Sequence, residues 1–170
     1  GAAGNFMMFA VVNELFGRKL LNQTDQKAEI ITSPIGWVSD VSPIVLMNMK
    51  PVFVDVDMKN MSISYKNIKN AITDNTVAIN LVHVLGFNAI NDKLINLASE
   101  KNLILIEDCC ESHGTTYNNK KVGSFGNMSN FSFYFGHHIT TVEGGMVCTN
   151  DDNLYDYLKL FRSHGMTREA

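Results

Sequence analysis

Apolar positions along the chain change their spacing several times, and each change marks an element. Residues 5–17, NFMMFAVVNELFG, carry apolar side chains at helical spacing and end on Gly17, which predicts a helix that stops there. AEIITS (28–33) predicts a short strand, and the segment from Trp37 to Met49 a helix whose start is limited by Pro43. PVFVDV (51–56) is strand-like, YKNIKNAI (65–72) a short amphipathic helix, TVAINLVHV (76–84) a strand and NDKLINLASEKN (91–102) a helix. LILIED (103–108) is a nearly continuous apolar run closed by two carboxylates, the pattern of a strand covered on both faces. After a polar loop come the strands SNFSFYF (129–135) and GMVCTN (145–150), then the helix DNLYDYLKLFRS (152–163).

Strands that alternate with helices predict an α/β architecture with a mostly parallel sheet. No internal repeat or low-complexity linker interrupts it. Ligands of such sheets gather at the carboxyl ends of the strands, which directs attention to Asp108, His137 and the loops beside them.

Composition narrows the class. The 170 residues suffice for one domain with a real core, and 45% hydrophobic with 18% charged residues is ordinary for a soluble protein. A net charge of −3 without a basic cluster argues against a nucleic-acid or anionic-membrane surface. No apolar stretch is long enough to read as transmembrane, and no secretory signal is present. The three cysteines, Cys109, Cys110 and Cys148, are odd in number and include an adjacent pair, which suits reduced thiols in the cytoplasm. The chain starts at Gly1 without Met and stops at MTREA, so it reads as part of a longer protein.

Four stretches carry candidate chemistry. GAAGN (1–5) precedes a helix; its small residues leave N–H groups free for a phosphate, or simply form a tight turn into the helix. It matches neither G-x-G-x-x-G nor the P-loop. In IEDCCESHG (106–114), Asp108 follows a buried strand, where an ionised carboxylate requires a partner. That partner is a cation such as a protonated pyridine nitrogen, or else the residue is a cap or salt bridge. His113 reads as structural. Trp37, the single Trp, reads as core unless a flat ligand lies nearby. FYFGHHITTVEGG (133–145) puts His137 and His138 at the mouth of an apolar strand, with no Lys or Arg between Lys121 and Lys159. A zinc site built from His137, His138, Glu143 or Cys148 matches no familiar ligand spacing.

Together, GAAGN, GW (36–37), KPVFVDVD (50–57), IEDCCESHGTTYNNKKVGSFG (106–126), FSFYFGHH and EGGMVCTND resemble the pyridoxal-phosphate-dependent sugar aminotransferase and dehydratase family named DegT/DnrJ/EryC1/StrS. Their order holds across nearly all 170 residues. The resemblance implies the large domain of the aspartate-aminotransferase-like fold (fold type I), a mostly parallel mixed sheet flanked by helices. Residues 1–170 would form part of that cofactor domain, without its N-terminal segment and its small C-terminal domain. It also implies a homodimer.

The implied roles follow position by position. Asp108 pairs with the pyridinium nitrogen, Glu111 lies near the cofactor's phenolic oxygen, and Trp37 stacks on the ring. Ser132 binds the phosphate with the backbone of Gly1, Ala2 and Ala3. Here the chain departs from the family, whose serines in that loop are replaced by Ala2 and Ala3; backbone donors survive this change and hydroxyls do not. In the family's aminotransferases a lysine forming the Schiff base follows the strand and precedes T-T-x-E-G-G. TTVEGG aligns at 140–145, and the lysine position falls on His137. An imidazole moves a proton but does not tether the cofactor. The replacement marks the family's sugar 3-dehydratases, which use pyridoxal 5′-phosphate and pyridoxamine 5′-phosphate.

One such type carries an iron–sulfur cluster whose first cysteines follow R-x-x-G. Here RSHGMTREA places Arg168 and Ala170 at those positions, so no iron–sulfur cluster is expected. IEDCCES, YNNK and HGMTR resemble the cluster-free type. The implied reaction removes the C3 hydroxyl of a nucleotide-linked 4-keto-6-deoxyhexose, GDP-4-keto-6-deoxymannose, for dideoxysugar and polysaccharide synthesis, with glutamate as amino donor and His137 as catalytic base. Two alternatives stay open: a nucleotide-sugar aminotransferase using a lysine from outside this chain, and a catalytically silent cofactor-binding homologue.

Overall fold

The computed structural model describes residues 1–167. Its centre is a six-stranded sheet. The strands are β1 (Glu29–Thr32), β2 (Lys50–Phe53), β5 (Thr76–Val82), β6 (Ile104–Asp108), β9 (Met128–Ser132) and β10 (Gly145–Thr149). Their spatial order is β10-β9-β6-β5-β1-β2; all neighbours are parallel except β10, which runs antiparallel to β9. Two small hairpins, β3 (Val56–Asp57) with β4 (Ser62–Ile63) and β7 (Thr116–Tyr117) with β8 (Lys120–Lys121), lie outside this sheet. The mostly parallel sheet expected from the sequence is therefore present.

Helices cover both faces. On one side α1 (Ala2–Val12) contributes Met8, Phe9, Val11 and Val12. These pack with Ile30, Ala78, Ile106 and Met128 of the strands and with Leu154 and Leu158 of α6 (Asp152–Arg162). The opposite face joins Ile31, Ile79, Leu81 and Leu105 to Ile68 of α4 (Tyr65–Ala71) and to Leu94, Leu97 and Ala98 of α5 (Asp92–Glu100). Side chains alternate between these two cores along each strand. The helix starts have local causes: Ser64, Asn91 and Asp151 each accept a hydrogen bond from an N–H in the first turn of α4, α5 and α6.

Several stretches depart from the sequence expectation. The first helix does not stop at Gly17; it passes through a π-helical turn, Asn13–Gly17, into α2 (Arg18–Thr24). A Cβ at Gly17 would overlap the Asn13 side chain, so this glycine answers to packing inside the helix. The helix ends instead at Asp25, which turns left-handed at φ 57°. The strand expected over 129–135 ends at Ser132, and Tyr134 to His137 form a turn closed by the His137 N–H donating to the Tyr134 carbonyl at 3.0 Å. The region from Trp37 to Met49 splits into a 3₁₀ turn, Val38–Asp40, and α3 (Ser42–Leu46), with Pro43 in its first turn.

The face of the sheet under α1 changes character along the strands. Toward their amino ends it shows Ile30, Ala78, Ile106 and Met128. Two residues further on, the same face shows Thr32, Asn80, Asp108 and Asn130, all buried. Asp108 and Asn130 are direct neighbours in the β6–β9 register. The start of α1 lies over this polar end, because Gly4 permits a close approach: any Cβ there would overlap Asn130 Oδ1. Asn130 cannot swing away, since its amide donates to the Gly1 carbonyl at 2.9 Å and to Asn5 Oδ1 at 3.1 Å. Gly4→Ala should therefore lower stability by about 2 kcal/mol, the usual cost of overpacking. Thermal unfolding of Gly4→Ala and Gly4→Ala/Asn130→Ala checks this; the second change should recover part of the loss.

Candidate functional site

Each parallel strand delivers its carboxyl end to the same edge of the sheet, and the buried polar residues collect there. At the centre, Asp108 is 6% exposed. Its Oδ2 accepts from Asn5 Nδ2 at 2.8 Å and its Oδ1 from the Cys110 N–H at 2.9 Å. The same Asn5 amide lies 3.3 Å from Oδ1 of Asp40, a second carboxyl that is 2% exposed. Asp40 also accepts from Asn80 Nδ2 at 3.2 Å and from the Trp37 N–H at 3.1 Å. Burial and the charge of Asp108 push the Asp40 carboxyl well above the usual aspartate range.

The start of α1 meets the end of β9. A Cβ at Gly1 would lie 2.9 Å from Cys110 Sγ and 3.1 Å from Ser132 Oγ. The first helical bond runs from the Asn5 N–H to the Gly1 carbonyl, so the N–H groups of Ala2 and Ala3 have no intrahelical acceptor. Both residues are exposed and Ser132 is buried. Helix end, hydroxyl and carboxylate thus face one region.

The remaining candidates surround it. Trp37 is 73% exposed, which overturns its reading as core packing. The exposed Glu111 accepts from the Leu85 N–H at 2.7 Å, holding a left-handed Leu85 (φ 52°) in the loop after β5. His137 is half-buried on the turn after β9, its ring 6.2 Å from that of Tyr134. His138 lies edge-on to His113 at 4.8 Å, and His113 packs against Phe131 and Phe133. Burial, then the nearby His138 and His137, push His113 down.

Gly1 and Asp108 are thus linked through Asn130 and Asn5, Ser132 lies beside Gly1, and Trp37 joins them through its backbone N–H to Asp40. Glu111 and His137 stand on neighbouring loops, and no described hydrogen bond links them to the carboxyl pair. Sequence reasoning missed Asn5, Asp40, Asn80 and Asn130. The signal for three of them was available: Asn5, Asn80 and Asn130 interrupt otherwise apolar elements.

The other face of the same edge is built differently. His83, Glu107 and Cys109 are buried, with potential ligand atoms within 4.8 Å of one another, the sole such grouping among the described residues. Their valences are taken. Glu107 accepts from the N–H groups of Gly123 (2.8 Å), Phe125 (2.8 Å) and Gly126 (2.6 Å) and pairs with His83 Nε2 at 3.1 Å. His83 Nδ1 accepts from the Ala89 N–H, and burial followed by the charge of Glu107 pushes the Cys109 thiol up, away from a thiolate. This cluster ties the 123–126 loop to the sheet. Burial raises the Glu107 carboxyl, but the His83 and backbone hydrogen bonds outweigh it, leaving Glu107 below its ordinary range.

The DegT/DnrJ/EryC1/StrS aminotransferase family matches residues 19–170. The chain belongs to this family. It is 37% identical over 169 residues to the GDP-4-keto-6-deoxy-D-mannose 3-dehydratase of Escherichia coli O55:H7 (strain CB9615 / EPEC), covering 99% of this chain and 42% of that protein. It is 40% identical over 138 residues to the GDP-perosamine synthase of Escherichia coli O157:H7, covering 81% of this chain and 38% of that one. Among solved structures, GDP-4-keto-6-deoxymannose-3-dehydratase with a trapped PLP-glutamate geminal diamine superposes with a TM-score of 0.86 at 36% identity, over 99% of this chain and 42% of that one. The architecture is accordingly that of the aspartate-aminotransferase-like large domain, and the chain spans about 42% of such relatives. Among the described residues no helix is long and apolar enough to cross a membrane.

The depressed Glu107 carboxyl makes stability pH-dependent. Its contribution is present above the unfolded glutamate range and is lost as pH falls through the lower folded value. Glu107→Gln should cost about 3 kcal/mol near neutrality, the scale of breaking a buried charged network. The difference from wild type should close on acidification below the glutamate range. Urea unfolding across that pH range is the check.

Proposed function

We propose that the protein is a pyridoxal-phosphate-dependent sugar 3-dehydratase. It removes the C3 hydroxyl from a nucleotide-linked 4-keto-6-deoxyhexose, GDP-4-keto-6-deoxymannose, with glutamate as amino donor. The observation that carries this reading is His137: it occupies the Schiff-base lysine position ahead of TTVEGG, and no Lys or Arg lies between Lys121 and Lys159. The similarity to the E. coli 3-dehydratase and to the structure with PLP and glutamate supports substrate and donor.

The residues at the edge fit a flat ring bearing a phosphate. The free N–H groups of Ala2 and Ala3 at a helix start, with Gly1 and the Ser132 hydroxyl beside them, suit the phosphate. Asp108, buried and without a described ion pair, suits the pyridinium nitrogen. Trp37, exposed at this edge, offers a face for the ring, and Glu111 stands on the loop assigned to the phenolic oxygen. When bound, the cofactor in its pyridoxal and pyridoxamine forms would supply an electron sink for the reacting sugar carbon. His137, untethered, moves the proton, delivering it to the departing C3 hydroxyl, because hydroxide alone leaves poorly. Exposed Trp37, Val38, Leu85 and Phe135 suit a second copy that completes the site as a homodimer. The positions that bear on an iron–sulfur cluster, Arg168 and Ala170, lie outside the described residues.

A second reading, a nucleotide-sugar aminotransferase, draws support from the 40% identity to GDP-perosamine synthase. The two readings part in one assay. Full-length protein loaded with pyridoxal phosphate and glutamate, then given GDP-4-keto-6-deoxymannose, should release ammonia only after the sugar arrives. An amino sugar as product would establish the aminotransferase instead. His137→Asn should lower turnover about 100-fold or more, the share of a general base, with cofactor binding retained in equilibrium titration.

A further inference from the structure

Asp40 has no part in the reading above, yet it touches two of its components at once. Its Oδ2 accepts the Trp37 N–H at 3.1 Å, which fixes the residue assigned to the ring face. Its Oδ1 lies 3.3 Å from the Asn5 amide nitrogen that also donates to Asp108 at 2.8 Å. Asn80, in turn, hydrogen-bonds Asp40 at 3.2 Å and Thr32 at 3.3 Å, anchoring the carboxyl to β5 and β1. Gly36 leaves it room: a Cβ there would lie 3.1 Å from Asp40 Oδ2.

We propose that Asp40 is a positioning residue and that Asp40 and Asp108 work as one unit, a two-carboxyl seat that keeps a single proton and presents a single negative charge to a ring nitrogen. The proposal rests on the assignment of Asp108 to that nitrogen. Two carboxylates this close and this buried do not both ionise without a cation, and the described ion pairs all lie elsewhere. The titratable groups facing Asp40 are Asp108 on β6 and the Cys110 thiol after it, the thiol itself pushed up by burial and by the charge of Asp108. The described hydrogen-bond donors that reach the two carboxyls are neutral: Asn5 from α1, Asn80 from β5, and the N–H groups of Trp37 and Cys110. A seat of charge −2 would bind one pyridinium with an uncompensated charge left buried; a seat of −1 matches it. The arrangement also couples the nitrogen partner to the ring-stacking residue, so that both are set by one carboxyl.

The test compares wild type, Asp40→Asn and Asp40→Ala in the full-length protein. A carboxyl that holds its proton more tightly when folded costs stability as pH rises from the ordinary aspartate range to its folded value. Asparagine has no such proton to lose. The Tm of cofactor-free Asp40→Asn relative to wild type should therefore increase by about 2 °C or more between about pH 5 and about pH 8. A difference that is flat, or that shrinks with pH, would overturn the shared-proton seat. In titrations with pyridoxal phosphate near pH 7.5, Asp40→Asn should bind within about threefold of wild type, and Asp40→Ala at least about tenfold more weakly. Equal binding by all three would overturn the positioning role. If wild type binds no pyridoxal phosphate, the functional reading fails, and the Tm comparison still decides the carboxyl pair.

Discussion

A single amide holds the polar edge of this sheet together. Asn5 Nδ2 reaches both Asp108 and Asp40, its oxygen accepts from Asn130, and the helix it belongs to begins three residues earlier. Buried carboxyls are tolerated only when donors meet them. Here the donors come from the start of α1, from β5 and from the backbone at Trp37 and Cys110, so the chain must bring all of these to one place before Asp108 can be buried. Gly4 makes the approach possible, because a side chain there would push α1 off Asn130.

The sheet turns this constraint into geometry. Parallel strands deliver equivalent ends to one edge, and each strand on the α1 face passes from an aliphatic residue to a polar one within a single period of two. The aliphatic half stabilises α1 against the sheet. The polar half forms the floor of the site. Neighbouring residues in β6 then divide the work: Asp108 points to the α1 face, where its bonds come from one amide and one turn N–H, while Glu107 points to the other, where four donors saturate it. The same residue class one step apart thus gives a site on one face and a structural clasp on the other.

Much of the fold was legible because strands and helices announce themselves by period and by caps. Ser64, Asn91 and Asp151 sit where the sequence pattern turns helical, and the runs 76–84 and 103–108 read as buried strands. Gly17 was misread because a glycine inside a helix and one after it look alike in sequence; the crowding by Asn13 exists only once the turn has formed. The FSFYF run was read as strand to its end for a similar reason, since aromatic residues continue past Ser132 after pairing with β10 has stopped.

The sequence by itself determined the alternation of elements, the buried strand ending in Asp108, and the histidine pair His137 and His138 ahead of TTVEGG. These are local facts: spacing, residue type and motif order survive without coordinates. Tertiary structure alone decided the partnership of Asp40 with Asp108, 68 positions apart along the chain, and the convergence of Asn5, Asn80 and Asn130 on them. It also decided that Trp37 faces solvent and that Glu107 is a clasp. Whether a polar side chain in an apolar run is partnered depends on which strand and helix ends pack against it, and strand order in the sheet, not position in the chain, sets that.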